Sequence, residues 1–379
     1  ISFKLIKYYL FCDLFNCKKQ MLILKRIGYV ILLVWGVLTF LFILFNMLPS
    51  DPVRLIMGQR SDVATEEAIR KKLGLDKPLY VQYFKYLNDI SPLGLFSDNE
   101  ENVFFYDEKY LSKNLSIVKF QNVKFGIKPI VLHESYITGQ PVWVLIKEAF
   151  PLTLILAVVT MIIALFLSIL LGSISAIKAN TWIDKLIIVF SSIGMSLPSF
   201  FAALLIAWIF GYLLHDFTGL SMHGNLIEVD ELSYSTYINW KNLILPAFTL
   251  SIRPLAVFVP LIRNSMLDVL NADYIKTARA KGLSNNRIIS HHVFPAAMNP
   301  LITSASGWFA SLLAGSVFVE YVFNWRGMGS LIVESLQNYD LPVLKAGIFI
   351  IALLFIFVTL LVDLIYLLID PRVRDKGLG

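Results

Sequence analysis

Charge is scarce in this chain: Asp, Glu, Lys and Arg make up 16% of 379 residues, while 57% are hydrophobic. Cysteine is nearly absent. Cys12 and Cys17 are the only two, both ahead of every long apolar run and on the side that flanking cations assign to the cytoplasm, where a disulfide is not expected. Two thiols with no histidine beside them are too few to hold a metal. No G-x-x-x-x-G-K-[ST] segment occurs, so any ATP that drives this chain is held by another polypeptide. The acids of the first long polar loop lack EF-hand spacing, which excludes a calcium loop of that kind. The first apolar run has no small-residue cleavage site before Pro49 and is expected to stay as a span rather than leave as a signal peptide.

Long apolar runs are what the sequence has in quantity. Six are long enough to cross a bilayer core of about 30 Å, which takes roughly 20 helical residues: 27–48, 152–177, 186–214, 243–267, 301–322 and 346–368. The expected fold is therefore an all-α polytopic membrane protein with six transmembrane helices. The formal net charge of +6 sits largely in short segments beside those runs. There it sets orientation and meets the anionic headgroups of membrane lipid, and it gives no reason to invoke nucleic acid. Lys18, Lys19, Lys25 and Arg26 precede the first span, Lys178 and Lys185 follow the second, and Arg372, Arg374 and Lys376 follow the last. By the positive-inside rule both termini lie in the cytoplasm.

The polar stretch between the first two spans opens with helix signals. Asp62 or Thr65 can cap, Glu66 and Glu67 suit a first turn, Arg70 to Lys72 a last one, and Gly74 a stop. Beyond Pro78, the helical spacing of Tyr80, Val81, Phe84 and Leu87 predicts an amphipathic helix lying on the outer membrane face or against the spans. Residues 90–131, with Asp98, Glu100, Glu101, Asp107 and Glu108, read as a solvated insertion.

Three polar features interrupt the later spans. Ser196, Pro198 and Ser199 predict a kink or break in the third, where freed carbonyls and hydroxyls line a polar path or are satisfied by neighbouring helices. Arg253, before Pro254, falls near mid-membrane in the fourth, where an arginine costs at least about 2.5 kcal/mol and needs water or a partner. It either faces a polar path and meets a carboxylate there or forms an ion pair with Glu320 or Asp363. The second outer loop holds His215, Asp216, His223, Glu228, Asp230 and Glu231. Their spacing matches no nickel ligand set, and no metal site is assigned.

The most informative stretch is NADYIKTARAKGLSNNRIISHHVFPAAMNP, residues 271–300. Alanines favour a short helix outside the lipid, Gly282 can end it, and Ser284 can cap a second piece running through Arg287 to His292, before Pro295 and Pro300 lead back to the membrane. A basic inner loop is what orientation alone predicts. The pattern TARAKGL followed by FPAAMNP, however, resembles the cytoplasmic loop of permease subunits in binding-protein-dependent ABC importers, of the dipeptide, oligopeptide and nickel subclass. Lys276 stands where that pattern has glutamate, and His292 where many have isoleucine. Other segments resemble the same subclass in the same order: LPSDP, LDKPLYVQYFKYL, TGQPVWVLIKEAFPLTLILA, VEYVFNWRGMGSL and DPRVR.

That resemblance implies a type I importer permease. Residues 1–20 would be an N-terminal extension, 21–48 the first span, and 49–142 an extracytoplasmic loop and insertion. Residues 143–371 would be the permease core with five spans and the coupling loop 271–300, and 372–379 a cytoplasmic tail. It implies as partners a second permease, giving a heterodimer, ABC ATPase subunits carrying ATP and Mg, and an extracytoplasmic substrate-binding protein. The chain itself would hold no cofactor and have no catalytic residue. Thr277, Ala278, Ala280, Lys281, Gly282 and Leu283 would dock on the ATPase; Ser196, Pro198, Ser199 and Arg253 are placed on the path by the proline break and the membrane cost of an arginine, and Arg253 has no counterpart in the family pattern. Peptides or nickel are the implied cargo. The competing classes are an ATP-independent channel or carrier, and a scaffold; copurification with an ATPase separates the importer from both.

Overall fold

The computed structural model describes residues 17–47, 53, 62–72, 74–97, 102, 104–106, 115–120, 123–230 and 235–369. Cys12, the LPSDP segment, most of the acidic insertion and the DPRVR segment lie outside the described residues. The chain divides into two compact units, residues 1–142 with 339–349, and residues 143–338 with 350–379.

In the first unit α1 (Cys17–Met47) is an unbroken helix, followed by α2 (Val63–Lys72) and α3 (Leu79–Ile90). The predicted amphipathic helix is α3, and it lies against the first span. Tyr83 shares a hydrogen bond of 2.7 Å between its hydroxyl and that of Thr39, and the Phe42 ring sits 5.1 Å from Tyr83 and 5.8 Å from Tyr86. The insertion is not wholly irregular. Strands β1 (Leu93–Phe96), β2 (Leu115–Phe120) and β3 (Val123–Ile127) form an antiparallel sheet in the order β1-β3-β2, with Leu95 opposite Phe125. The Asn88 amide fastens its edge, donating to the Leu95 carbonyl and accepting from the Leu95 N–H, both at 2.8 Å.

A polar knot centres on the buried Asp89. The Tyr106 hydroxyl donates to Asp89, His133 Nε2 lies 3.1 Å from the other Asp89 oxygen, and the Lys128 ammonium donates to the Asp89 carbonyl at 3.2 Å. Burial, then the Asp89 charge, raises the Tyr106 phenol above its ordinary range, while burial lowers Lys128.

The second unit opens with α4 (Val142–Ile177), which carries Pro151 inside it and begins earlier than the apolar run suggests. It continues with α5 (Trp182–Ser196) and α6 (Ser199–Ile206), the latter running on as a wide π-helix to Leu213. A hairpin of β4 (Ile227–Val229) and β5 (Thr236–Ile238) precedes α7 (Lys241–Leu270). After α7 come α8 (Asp273–Ala280), α9 (Asn285–Ile288), α10 (Phe294–Gly315), α11 (Val317–Val322) and α12 (Met328–Gln337). The long α13 (Leu341–Ile369) ends the described chain.

Helix α7 is the axis of this unit, packed by α5, α6, α10 and α11. It contains Pro246, Pro254 and Pro260 without breaking. Each proline withholds an N–H from the carbonyl four residues back. Nearby, Thr249 and Ser251 turn their hydroxyls onto the Leu245 and Phe248 carbonyls at 2.7 and 2.6 Å.

Two expectations change. The fold is mostly helical rather than all-α, because the two long polar loops form small sheets. Of the six expected spans, four described helices are long and apolar enough to cross a membrane by themselves, and the bent α5–α6 pair makes five if it is one span. The run 301–322 is divided between α10 and α11, and Thr303, Ser304 and Ser306 dilute its apolar character.

Candidate functional site

Helix α8 leaves α7 after the two-residue turn Asn271–Ala272, whose N–H groups satisfy the Leu267 and Val269 carbonyls. Its apolar positions fall three apart. Ile275 and Ala278 are buried and join the cluster formed by Ile262 and Met266 of α7 with Ile288, Val293 and Ala297 beyond the loop. Tyr274, Lys276, Thr277, Arg279, Ala280 and Lys281 are exposed. Asp273 suits the first turn and Arg279 the last. Lys276 and Asp273 pair at 2.8 Å on the exposed side, where such pairs contribute about 0–1 kcal/mol.

The helix ends as Gly282 predicts. The Gly282 N–H donates to the Arg279 carbonyl at 2.9 Å and the Leu283 N–H to the Ala278 carbonyl at 3.3 Å, with Gly282 at φ +80°. This is a Schellman cap, and its hydrophobic partners are Leu283, packed against the core, and buried Ala278. Ala278 therefore supports the knob from inside, whereas the sequence alone suggested a docking surface. Thr277, Ala280, Lys281 and Gly282 form the outward part.

The return is also smoother than expected. Ser284 occupies the cap position of α9 but its hydroxyl makes no capping bond. From Asn285 the chain stays helical through a π-turn, Ile289–Val293, into α10. That wide turn ends just before Pro295, so the helix is already widened where the proline ring would meet a carbonyl. Pro295 and Pro300 are carried inside the returning helix.

The break in the third span is real and sharp. Leu197, forced out of the helical region by the following proline, is extended at φ −85° and ψ 130°, and α5 and α6 meet at 111°. Ser196 and Pro198 are exposed and Ser199 is half-buried. Helices α5 and α7 run antiparallel in close contact: a Cβ on Gly194 would come within 3.0 Å of the Ile252 carbonyl. Arg253 follows Ile252, is exposed, and makes no hydrogen bond or ion pair among the described residues. Glu320 is not its partner.

The Glu320 carboxylate is fully buried and accepts from Thr153 at 2.9 Å, Ser316 at 2.7 Å and the Gly329 N–H at 2.7 Å. Thr153 in turn accepts from the Met328 N–H at 2.7 Å. Gly327 and Gly329 have no room for a side chain there: a Cβ would meet Glu320 and Thr153 at the first and the Val317 backbone at the second. Trp325 is fully buried and donates from Nε1 to the Leu152 carbonyl at 3.1 Å. WRGMG is thus a folded plug between α11 and α12.

Sequence reasoning missed a second arrangement. Arg263 of α7 holds Asp184 of α5 with two bonds, Nε at 2.6 Å and Nη2 at 2.7 Å. Ser175 and the Asn180 N–H fill the remaining acceptor sites of that carboxylate. Asp184 lies beside Lys185 and Arg263 shares its span with Arg253, so residue type alone gave no signal that these two meet. In the β4–β5 hairpin Glu228 is held by Asn239, Tyr237 and Asn242 at 3.0, 2.8 and 2.7 Å, bonds that keep its carboxyl below the ordinary carboxylate value. Among the described residues no three His, Cys, Asp or Glu side chains form a group able to hold a metal ion.

An exposed short helix between long apolar helices, one of them broken, fits the class of membrane-spanning helical proteins. Residues 168–375 match the family described as "Binding-protein-dependent transport system inner membrane component", and residues 19–102 match its N-terminal companion. The probable D,D-dipeptide transport system permease protein DdpB of Escherichia coli K12 is 33% identical over 369 residues, 93% of this chain and 97% of that one. The glutathione transport system permease protein GsiC of the same strain is 33% identical over 345 residues, 91% and 95% of the two chains. In fold the chain is similar to a subunit of the MetNI methionine ABC transporter in an inward-facing conformation, with TM-score 0.50 and 15% identity over 61% of this chain and 98% of that one. The chain belongs to the permease family of binding-protein-dependent ABC transport systems. It is a multi-pass inner-membrane transport subunit and not itself an enzyme.

Proposed function

We propose that this permease imports short peptides by alternating access, driven by ATP and Mg bound on a separate ATPase subunit. The observation that carries the mechanism is the α8 knob, a rigid, cap-locked helix with a buried inner face and an exposed basic outer face. Thr277, Ala280, Lys281 and Gly282 meet the ATPase, with Ala278 and Leu283 bracing them from within. A docked knob pushes on α7, its neighbour in sequence and packing.

Peptides as cargo rest on the names of the two relatives, DdpB and GsiC, each aligned over nearly the whole chain. A second permease completes the path as a heterodimer, and an extracytoplasmic binding protein delivers the substrate. We read the broken α5–α6 pair and α10–α11 as two further spans, which supports a six-span, type I arrangement, and the flanking cations favour both termini in the cytoplasm. Ser196, Pro198, Ser199 and Arg253 face the path, where the exposed Arg253 guanidinium meets a peptide carboxylate.

The deciding experiment is copurification and uptake: the tagged chain expressed with its genomic neighbours should bring an ATPase with it and support nucleotide-dependent peptide uptake. Full-rate solute movement by the chain alone in liposomes would overturn the proposal.

A further inference from the structure

We infer that Asp184 and Arg263 are positioning residues for transport: together they fasten the broken span to the helix that carries the knob, so that movement of the knob reaches the break. The inference rests on the reading of α8 as the coupling handle. Its structural basis lies on three elements. Asp184 is in the first turn of α5, is almost wholly buried, and spends every acceptor site on a partner: Arg263 Nε and Nη2 of α7, the Ser175 hydroxyl at the end of α4, and the Asn180 N–H in the intervening turn. Asn180 is held at φ +64°, so the turn presents its N–H to the carboxylate. Two parallel bonds from a planar guanidinium fix angle as well as distance, which a single contact does not.

Arg263 lies beside Ile262 and close to Met266, the α7 residues clustered with Ile275 and Ala278 of the knob. A force delivered at α8 therefore arrives first at the part of α7 that Arg263 occupies. From Asp184 the helix α5 continues to Gly194, where the close approach to Ile252 makes a second fastening. The break follows at Leu197. Fastened at both ends, α5 moves with α7, and the displacement is spent at the bend. Without the Asp184–Arg263 clamp, the inner end of α5 is free to slip while α7 moves.

The test uses the assembled transporter with its ATPase and binding protein, reconstituted in liposomes. Asp184→Asn, Arg263→Lys and Ser175→Ala are compared with wild type for substrate-stimulated ATP hydrolysis and for uptake. With the clamp as inferred, Asp184→Asn keeps hydrolysis near wild type and lowers uptake per ATP about tenfold, the size of a typical coupling term. Arg263→Lys, which retains the charge but loses the fork, falls between the two. Spin labels at exposed Asp268→Cys of α7 and Val189→Cys of α5 give an independent readout: their separation is the same with and without nucleotide in the otherwise wild-type protein and becomes nucleotide-dependent in Asp184→Asn.

If all three variants lower hydrolysis and uptake in parallel with the amount of complex recovered, the clamp only holds the fold and the inference fails. Unchanged uptake per ATP in Asp184→Asn also sinks it. A bulky replacement at Ala280 separates this failure from failure of the handle itself. If the handle is misassigned, Ala280→Trp transports normally; if only the clamp is, Ala280→Trp is uncoupled while Asp184→Asn is not.

Discussion

Gly282 and Ala278 act on the same knob through different physics. At Gly282 a Cβ would have open space, but φ is +80°, a conformation that costs an L-residue about 1–2 kcal/mol. Gly282→Val should loosen the Schellman cap, and uptake should fall while the protein still inserts, as judged by yield of detergent-solubilised protein. Ala278→Leu should instead lower stability by about 1–3 kcal/mol through overpacking, read as a drop in thermal midpoint. Arg253→Ala tests the path: with normal insertion and assembly, it should raise the KM for peptide, and unaltered affinity and rate would remove Arg253 from the path. Residue type alone marked Gly282 as a stop and Arg253 as an oddity, because one is a matter of backbone conformation and the other of membrane cost. Nothing in the type of Ala278 or Trp325 told inward from outward, since an alanine fits a tight interface and a core equally well, and a tryptophan suits a membrane boundary as readily as a buried donor.

At the scale of elements, the β4–β5 hairpin offers a pH test. The folded carboxyl of Glu228 is held below its ordinary value of 4.5 by its three donors, Asn239 foremost. A group with a lowered folded pKa contributes stability that is fully present above the unfolded value and is lost as pH falls through the folded one. Hydrogen exchange of the β4 and β5 amides should therefore quicken as pH is taken below that ordinary value, after correction for intrinsic rates, and Glu228→Gln should abolish the difference. For the sheet of the first unit, Asn88→Ala removes both bonds to Leu95 and should expose the β1 amides at a cost of about 1 kcal/mol per bond. Helical periodicity made α3 and α8 legible, and Pro198 announced the break. The sheets were not, because β1, β2 and β3 are four to six residues long and pair across segments whose acids suggested solvent.

For the molecule as a whole, the family segments quoted from the sequence run in order along most of the chain, and the two relatives align over 91% or more of it. That order made the class legible without any fold. The fastening of α5 to α7 was not, because Asp184 and Arg263 are far apart in sequence and meet only once both helices are packed. The Glu320 plug, likewise, joins residues from α4, α11 and α12.

The backbone at Gly282 has a consequence beyond glycine. Because the surrounding space is open and only the dihedral angle is demanding, the position selects for handedness rather than size. A semisynthetic chain bearing D-alanine there should keep the knob and its coupling, its mirror-image L-alanine should weaken both, and asparagine, the L-residue most at ease in this region, should fall nearest to the native chain.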